Sequence, residues 1–136
     1  MLRTTEKIQR MLSNEQETEL SKMKMNVVRV LAVYKGVSWK TELFLDLVKL
    51  LQFLGQPGII ESRILDKALD SLASDGIISV ENRTRGAMLK KGICKDRLLR
   101  LNDLADVRSV LEKDPVFAQY MHSRDKMIRD ALSNWI

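Results

Sequence analysis

The spacing of the apolar residues changes at Gly76, and this change limits the folds open to the chain more than any other feature. Up to Leu72 the apolar residues recur at intervals of three and four, which is typical of one face of a helix. Beyond Gly76, the β-branched residues Ile77, Ile78 and Val80 indicate an extended strand. The chain is therefore expected to form helices first and strands afterwards.

The first predicted helix covers residues 14 to 35. Ser13 is expected to cap its start, with Gln16 reaching back as in a capping box. Gly36 is a suitable stop, because glycine adopts the left-handed conformation that often ends a helix. Residues 2 to 12 also show helical spacing, and the sequence leaves open whether they form a separate helix or continue into this one.

Two more helices are predicted before Gly76. Ser38 is expected to cap the second helix, whose wide apolar face ends at Gly55. A turn at residues 56 to 58 follows, because proline and glycine favour turns. The third helix begins soon afterwards and ends at Asp75 and Gly76.

A β-hairpin is predicted after the third helix. Its first strand begins at Ile77, and residues 97 to 101 supply the returning strand, with Leu99 and Leu101 facing inward. Residues 83 to 86 are polar and are interpreted as turn-like. The hairpin is therefore expected to have a long tip, from residue 84 to residue 95.

Two further helices are predicted at the C-terminal end of the chain. Asn102 is expected to cap a short helix that ends near Lys113. Asp114 is expected to cap the last helix, with Pro115 at the first helical position, where its missing N–H has no cost. This last helix is predicted to run close to Ile136.

Three helices followed by a β-hairpin resemble the winged-helix (winged helix-turn-helix) family over roughly Ser13 to Leu101. The most specific segment is ALDSLASDGII, residues 68 to 78, which is similar to the end of that family's third helix and its turn into the wing. The resemblance implies a mainly α fold with a small β-hairpin, built as a single domain of residues 1–136. Residues 13–101 would form the winged-helix core, and residues 102–136 would form C-terminal helices that could serve for dimerisation. The second helix and the wing loop are longer than is typical, so the subfamily stays unassigned.

Composition argues against several classes of function. Cys94 and His122 are the only cysteine and the only histidine among the 136 residues, so the chain lacks the ligands of a zinc site. We find no glycine-rich phosphate loop and no set of nucleophile, base and acid in the sequence, and we expect neither enzyme activity nor a cofactor. The apolar stretches are too short and too interrupted for a membrane span or a signal peptide, which favours a cytoplasmic protein.

Basic residues are concentrated in the hairpin. Residues 83 to 100 contain seven bases and one acid, a net charge of +6, whereas the whole chain carries +5. The bases are Arg83, Arg85, Lys90, Lys91, Lys95, Arg97 and Arg100. Bases gathered on one surface favour phosphate binding, because they release the counterions of the nucleic acid. A solvated loop without a partner and a contact with an acidic protein remain the alternatives.

The resemblance also implies that the third helix enters the DNA major groove while the wing follows the backbone. The third-helix residues expected to contact bases are Ser62, Arg63, Lys67 and Ser71. The wing residues expected to contact phosphates are Arg83, Arg85, Lys90, Lys91, Lys95 and Arg97. The predicted outward face of the third helix holds more acids than bases, however, and its acids Glu61, Asp66 and Asp70 would repel phosphates unless they turn away.

The last predicted helix carries an apolar stripe too extensive for a free surface helix. Its members are Phe117, Tyr120, Met121, Met127, Ile128, Ala131, Leu132 and Trp135. The stripe packs either on the first helix or on a second copy of the chain in a homodimer. Two functions remain, of which we favour the first: a transcriptional regulator that binds double-stranded DNA, or a winged-helix module that binds proteins without direct DNA contact.

Overall fold

The computed structural model describes residues 2–86 and 93–134, and this part of the chain forms six helices and three strands. The helices are α1 (Thr4–Ser13), α2 (Glu19–Val33), α3 (Lys40–Phe53), α4 (Ser62–Ser74), α5 (Leu104–Leu111) and α6 (Pro115–Ser133). The strands are β1 (Val37–Trp39), β2 (Ile78–Gly86) and β3 (Ile93–Leu101). They pair into one antiparallel sheet in the order β1-β3-β2. The described chain is therefore mainly helical with a small sheet.

The centre of the core is α2, of which residues 25 to 33 are all buried. A helix with apolar residues around its whole circumference is stable only when other elements cover every side. Here α3, α4 and α5 pack against it, and β3 contributes Leu99 and Leu101. These three helices are thus held in place by one central element, α2.

Two separate helices precede the sheet, and the predicted cap at Ser13 is wrong. Ser13 is the last residue of α1, and its hydroxyl donates to the carbonyl oxygen of Gln9 at 3.1 Å. The side chain of Thr18 caps α2 instead, accepting from the backbone N–H of Ser21 at 3.0 Å. The capping-box pattern was misleading because Ser13 already belongs to a helix, where a serine hydroxyl can bond back to the carbonyl four residues earlier.

Ser38 does not cap the second helix, because it lies within the short strand β1. It is buried opposite Leu99 of β3, and its hydroxyl donates to the carbonyl oxygen of Trp39 at 3.0 Å. A strand of three residues is too short to show an alternating pattern, and its partner strand is about 60 residues away in the sequence. The predicted end of this helix at Gly55 is confirmed, and Gly55 has a φ of +73°.

The predicted turn at residues 83 to 86 is also wrong, since these residues complete β2. Each is paired with β3, from Arg83 opposite Asp96 to Gly86 opposite Ile93. Threonine suits an extended strand, and cross-strand partners stabilise the strand although both of its faces are polar here. The paired ribbon consequently extends further than predicted, and Lys90 and Lys91 lie outside the described residues.

Asn102 does not cap α5 either. Its side-chain amide donates to the carbonyl oxygen of Gly76 at 2.8 Å, and its side-chain oxygen accepts from the hydroxyl of Ser79 at 2.6 Å. Asp103 occupies the cap position of α5 without a side-chain cap bond. Asn102 therefore joins the end of β3 to the turn between α4 and β2.

The predicted cap at Asp114 is confirmed, and it belongs to a buried ion cluster. The carboxylate accepts from the first backbone N–H groups of α6, with Pro115 at the start of the helix. It also accepts from Nε of Arg29 at 2.8 Å. The same guanidinium donates to Glu15 at 2.7 Å and to the side-chain oxygen of Asn26 at 2.9 Å. Arg29 thus joins α2, the connection after α1 and the start of α6.

We expect the substitution Arg29→Met to lower the free energy of unfolding by about 3–5 kcal/mol, because it leaves the buried carboxylate of Asp114 and the half-buried carboxylate of Glu15 without their partner. Urea denaturation monitored by circular dichroism measures the change. Arg10→Met is the matched control, since Arg10 is an exposed base of α1 and its loss should change the free energy by less than about 0.5 kcal/mol. A loss below about 1 kcal/mol for Arg29→Met would contradict the structural role of the cluster.

Candidate nucleic-acid interface

The outermost row of α4 carries Arg63, Lys67, Asp70 and Ser74, all of which are exposed. Their spacing of four, three and four residues places them on one side of the helix. The opposite side, which packs into the core, consists of Leu65, Ala68, Leu69 and Leu72. The outward row therefore holds two bases and one acid, which is less acidic than the sequence suggested.

The four predicted base-contacting residues do not all point outward. Ser62, Arg63 and Lys67 are exposed, whereas Ser71 is only half-exposed. Ser71 lies at the edge of the buried face because it follows Ala68 by three residues and directly precedes Leu72. Three of the four predicted residues thus share an accessible surface, and Ser71 borders it.

Asp66, one of the acids that weakened the nucleic-acid interpretation, is paired with a base. Nζ of Lys40, the first residue of α3, lies 2.5 Å from Oδ1 of Asp66. The two side chains are 28% and 45% exposed, so water screens part of this attraction. The pair neutralises the acid of α4 that faces the start of α3.

The residue after Lys40 makes the matching contact with the sheet. The hydroxyl of Thr41 donates to Oδ2 of Asp96 in β3 at 2.7 Å. Two consecutive residues at the start of α3 therefore hold α4 on one side and β3 on the other. Sequence reasoning missed both, because their partners are 26 and 55 residues away and no local pattern marks them.

The ribbon of β2 and β3 separates its bases onto two faces. Successive residues of a strand alternate between faces, so Lys95 and Arg97 share the face of Leu99 and Leu101, which pack against the helices. Lys95 is exposed and Arg97 is half-exposed. These two predicted phosphate contacts consequently lie on the face of the sheet whose inner residues pack into the core.

Arg83 belongs to the other face of the ribbon and is not a free base. Its Nε donates to Oε2 of Glu81 at 2.8 Å, and both side chains are about half-exposed. Glu81 lies just outside the segment of residues 83 to 100, and that segment's net charge of +6 therefore overstates the charge that the ribbon presents. Arg85 occupies the position opposite Cys94 in β2.

A second surface lies on α6, where the predicted apolar stripe is divided in two. Phe117 and Tyr120 are buried, and the ring of Tyr120 lies 5.2 Å from that of Phe53 in α3. From residue 125 to residue 134 every position is exposed, including Met127 at 69% and Leu132 at 62%. The first half of α6 packs on the domain and the second half extends from it, while Trp135 lies outside the described residues.

A polar cluster fixes the point where α6 leaves the domain. The hydroxyl of Tyr34 donates to Oδ1 of Asp46 at 3.2 Å, and the guanidinium of Arg124 lies 4.7 Å from the centre of the Tyr34 ring. Burial raises the pKa of the Asp46 carboxyl above its ordinary value, although the bond from Tyr34 opposes this shift. The charge of Lys49 and, to a smaller extent, that of Arg124 also lower this pKa, so Arg124 adds a favourable contact with the acid at the root of the extended half of α6.

Within residues 2–86 and 93–134, no cluster of three or more His, Cys, Asp or Glu side chains could hold a metal ion. None of the helices described there is long and apolar enough to cross a membrane. His122 is exposed on α6. No family model matches the chain, and no curated protein or solved structure matches it.

The link between α3 and α4 can be measured by a double-mutant cycle on Lys40→Ala and Asp66→Ala. We expect a coupling of about 0.5–1 kcal/mol in the free energy of unfolding, because the pair is close but partly screened. The matched control is the pair of Lys49 and Asp46, whose atoms lie 3.9 Å apart and whose lysine is 67% exposed, and it should couple more weakly. Equal coupling in the two cycles would contradict the assignment of Lys40 as the partner of Asp66.

Proposed function

We propose that this protein is a winged-helix transcriptional regulator that binds double-stranded DNA. In this proposal β2 and β3 form a wing that holds phosphates, and α4 lies in the major groove. A homodimer formed through α6 would present two such units to one duplex. The order of α2, α3 and α4 followed by the β2–β3 ribbon supports the winged-helix part, as does the packing of all these elements around one core.

The observation that carries the proposal is the bridge made by Lys40 and Thr41. It holds α4 and β3 in a fixed relation, with Lys95 and Arg97 on the side of the sheet that faces the helices. A helix that contacts bases in a groove must be held firmly to a neighbouring element that contacts phosphates, because the phosphate contacts fix the position of the helix along the duplex. Lys40 also neutralises Asp66, which lowers the repulsion between α4 and phosphates.

The wing and α4 differ in charge, and we therefore expect them to contribute differently to DNA binding. The outward row of α4 is close to neutral, so it contributes little to binding that depends only on phosphate charge. Arg63 and Lys67 are the residue types that recognise guanine in the major groove by hydrogen bonds to O6 and N7. We therefore assign affinity mainly to the wing and base preference mainly to α4.

Removing two wing bases, Lys95→Ala with Arg97→Ala, should weaken duplex binding and flatten its salt dependence. Each lost phosphate contact lowers the slope of log affinity against log salt by about 0.9. For the unmodified chain we expect a slope of roughly −4 to −6, which corresponds to about five to seven contacts. Fluorescence anisotropy of a labelled duplex at several salt concentrations measures both effects.

The matched control for the wing variant removes two bases elsewhere, Arg3→Ala with Lys113→Ala. Both are exposed, beside α1 and α5 respectively, and the net charge falls by the same amount. An equal loss of affinity in the two variants would refute the wing as the contact surface. Folded protein that binds no duplex even at low salt would instead favour the winged-helix module that binds other proteins.

If α4 recognises bases, its variants should behave differently from those of the wing. Arg63→Ala should reduce the preference for a selected high-affinity sequence over a scrambled duplex by about 1–3 kcal/mol, and it should affect the scrambled duplex much less. Ser74→Ala, at the far end of the same exposed row, is the matched control. A uniform weakening on both duplexes would mean that Arg63 contacts phosphate and does not read a base.

A further inference from the structure

The exposed half of α6 carries an apolar face that nothing in the described chain covers. Met127, Ile128 and Leu132 are 69%, 52% and 62% exposed. Their spacing places Ile128 and Leu132 one turn apart on the same side, with Met127 on the adjoining edge. Water-exposed apolar groups repeated along a helix are stabilised when a second helix covers them.

Charged residues border this face in a pattern that selects the covering partner. Asp125 and Arg129 are four residues apart, so they lie on one flank of the helix beside Ile128. Among the residues that the structure describes, neither side chain forms an ion pair with another side chain. The flank therefore presents one acid two residues before Met127, Asp125, and one base two residues after it, Arg129.

We propose that the exposed half of α6 pairs in an antiparallel manner with α6 of a second copy of this chain, about a two-fold axis at Met127. This two-fold axis is perpendicular to both helices, and it therefore places each flank of one helix beside the same flank of the other. Asp125 of each copy then lies opposite Arg129 of the other copy, which gives two symmetric ion pairs beside a covered apolar face. This inference rests on the homodimer of the proposed function and is independent of DNA binding.

Two other arrangements of the helices lose these ion pairs. A parallel pair about a two-fold axis along the helices places this flank beside the opposite flank of the second copy, so Asp125 and Arg129 of the two copies do not meet. An antiparallel pair whose axis lies between Met127 and Ile128 brings Asp125 level with Asp130, which is two residues from Ile128 and therefore lies on the far side of the helix. The axis at Met127 keeps both contacts between opposite charges, so it is preferred.

The same register explains how the interface can reach a stable size. The exposed half of α6 is about 15 Å long and offers less than the roughly 800 Å² that each partner of a stable dimer usually buries. With the axis at Met127, Leu132 of the second copy lies opposite His122, close to Tyr120. Phe53 contacts Tyr120 and is itself 39% exposed. The tip of each α6 would thus cover Phe53 of the other copy and extend the interface onto the domain.

Sedimentation equilibrium of the full chain without DNA tests the assembly. We expect the mass of two copies of the 15.7 kDa chain. Ile128→Glu should give a monomer, because it places a charge in the covered face. Lys126→Glu, on the opposite side of α6, is the matched control and should leave the dimer intact. A wild-type chain that stays monomeric at about 100 µM, a concentration at which even a weak dimer of micromolar dissociation constant forms, would overturn the proposal.

A charge exchange tests the register. Asp125→Arg and Arg129→Asp should each weaken the dimer by about tenfold, because each replaces two attractive contacts by two repulsive ones. The double variant restores opposite charges and should recover the wild-type dissociation constant to within about threefold. These residues are exposed, so the fold tolerates the changes. A double variant as weak as the single ones would exclude this register, and DNA affinity measured on the Ile128→Glu monomer keeps the two proposals separate.

Discussion

The contact on which most of the structure depends is that of Arg29 with Asp114 and Glu15, in the interior of the domain. Burial alone lowers the pKa of a guanidinium, but the hydrogen bonds and charges of the two carboxylates outweigh it and raise the pKa of Arg29. Arg29 therefore keeps its charge, and it can be buried only because its partners are all present. Since Arg29 lies in α2, this one side chain fixes the connection after α1 and the start of α6 relative to the helix around which the core is built.

Contacts between residues far apart in the sequence, such as that of Arg29 with Asp114, also explain which parts of the fold could be predicted. Local signals were sufficient where one residue type determines the backbone, as at Gly76 with its φ of +73° or at Asp114 followed by Pro115. They failed where a distant partner decides the structure. Ser38 resembles a helix cap in isolation, but it is held in β1 by pairing with Leu99.

The same difference between local signals and distant partners applies to the candidate site. That the bases gather in the hairpin is visible in the composition of the segment, and the exposed side of α4 follows from its apolar period. The faces of the ribbon could not be predicted, because they depend on a register in which Arg83 lies opposite Asp96. The neutralisation of Asp66 required Lys40, 26 residues earlier, and acids counted along one helix therefore gave too negative a picture of its surface.

The buried cluster and the candidate interface are mechanically connected through α2. Asp114 holds the start of α6 to Arg29, while α4 packs along the same central helix. The direction of α6 relative to α4 is then determined by a buried ionic contact and close packing, and not by a flexible linker. If two copies join through α6, the separation and tilt of their α4 helices follow from this geometry, so the spacing of half-sites on a duplex would be a property of the core.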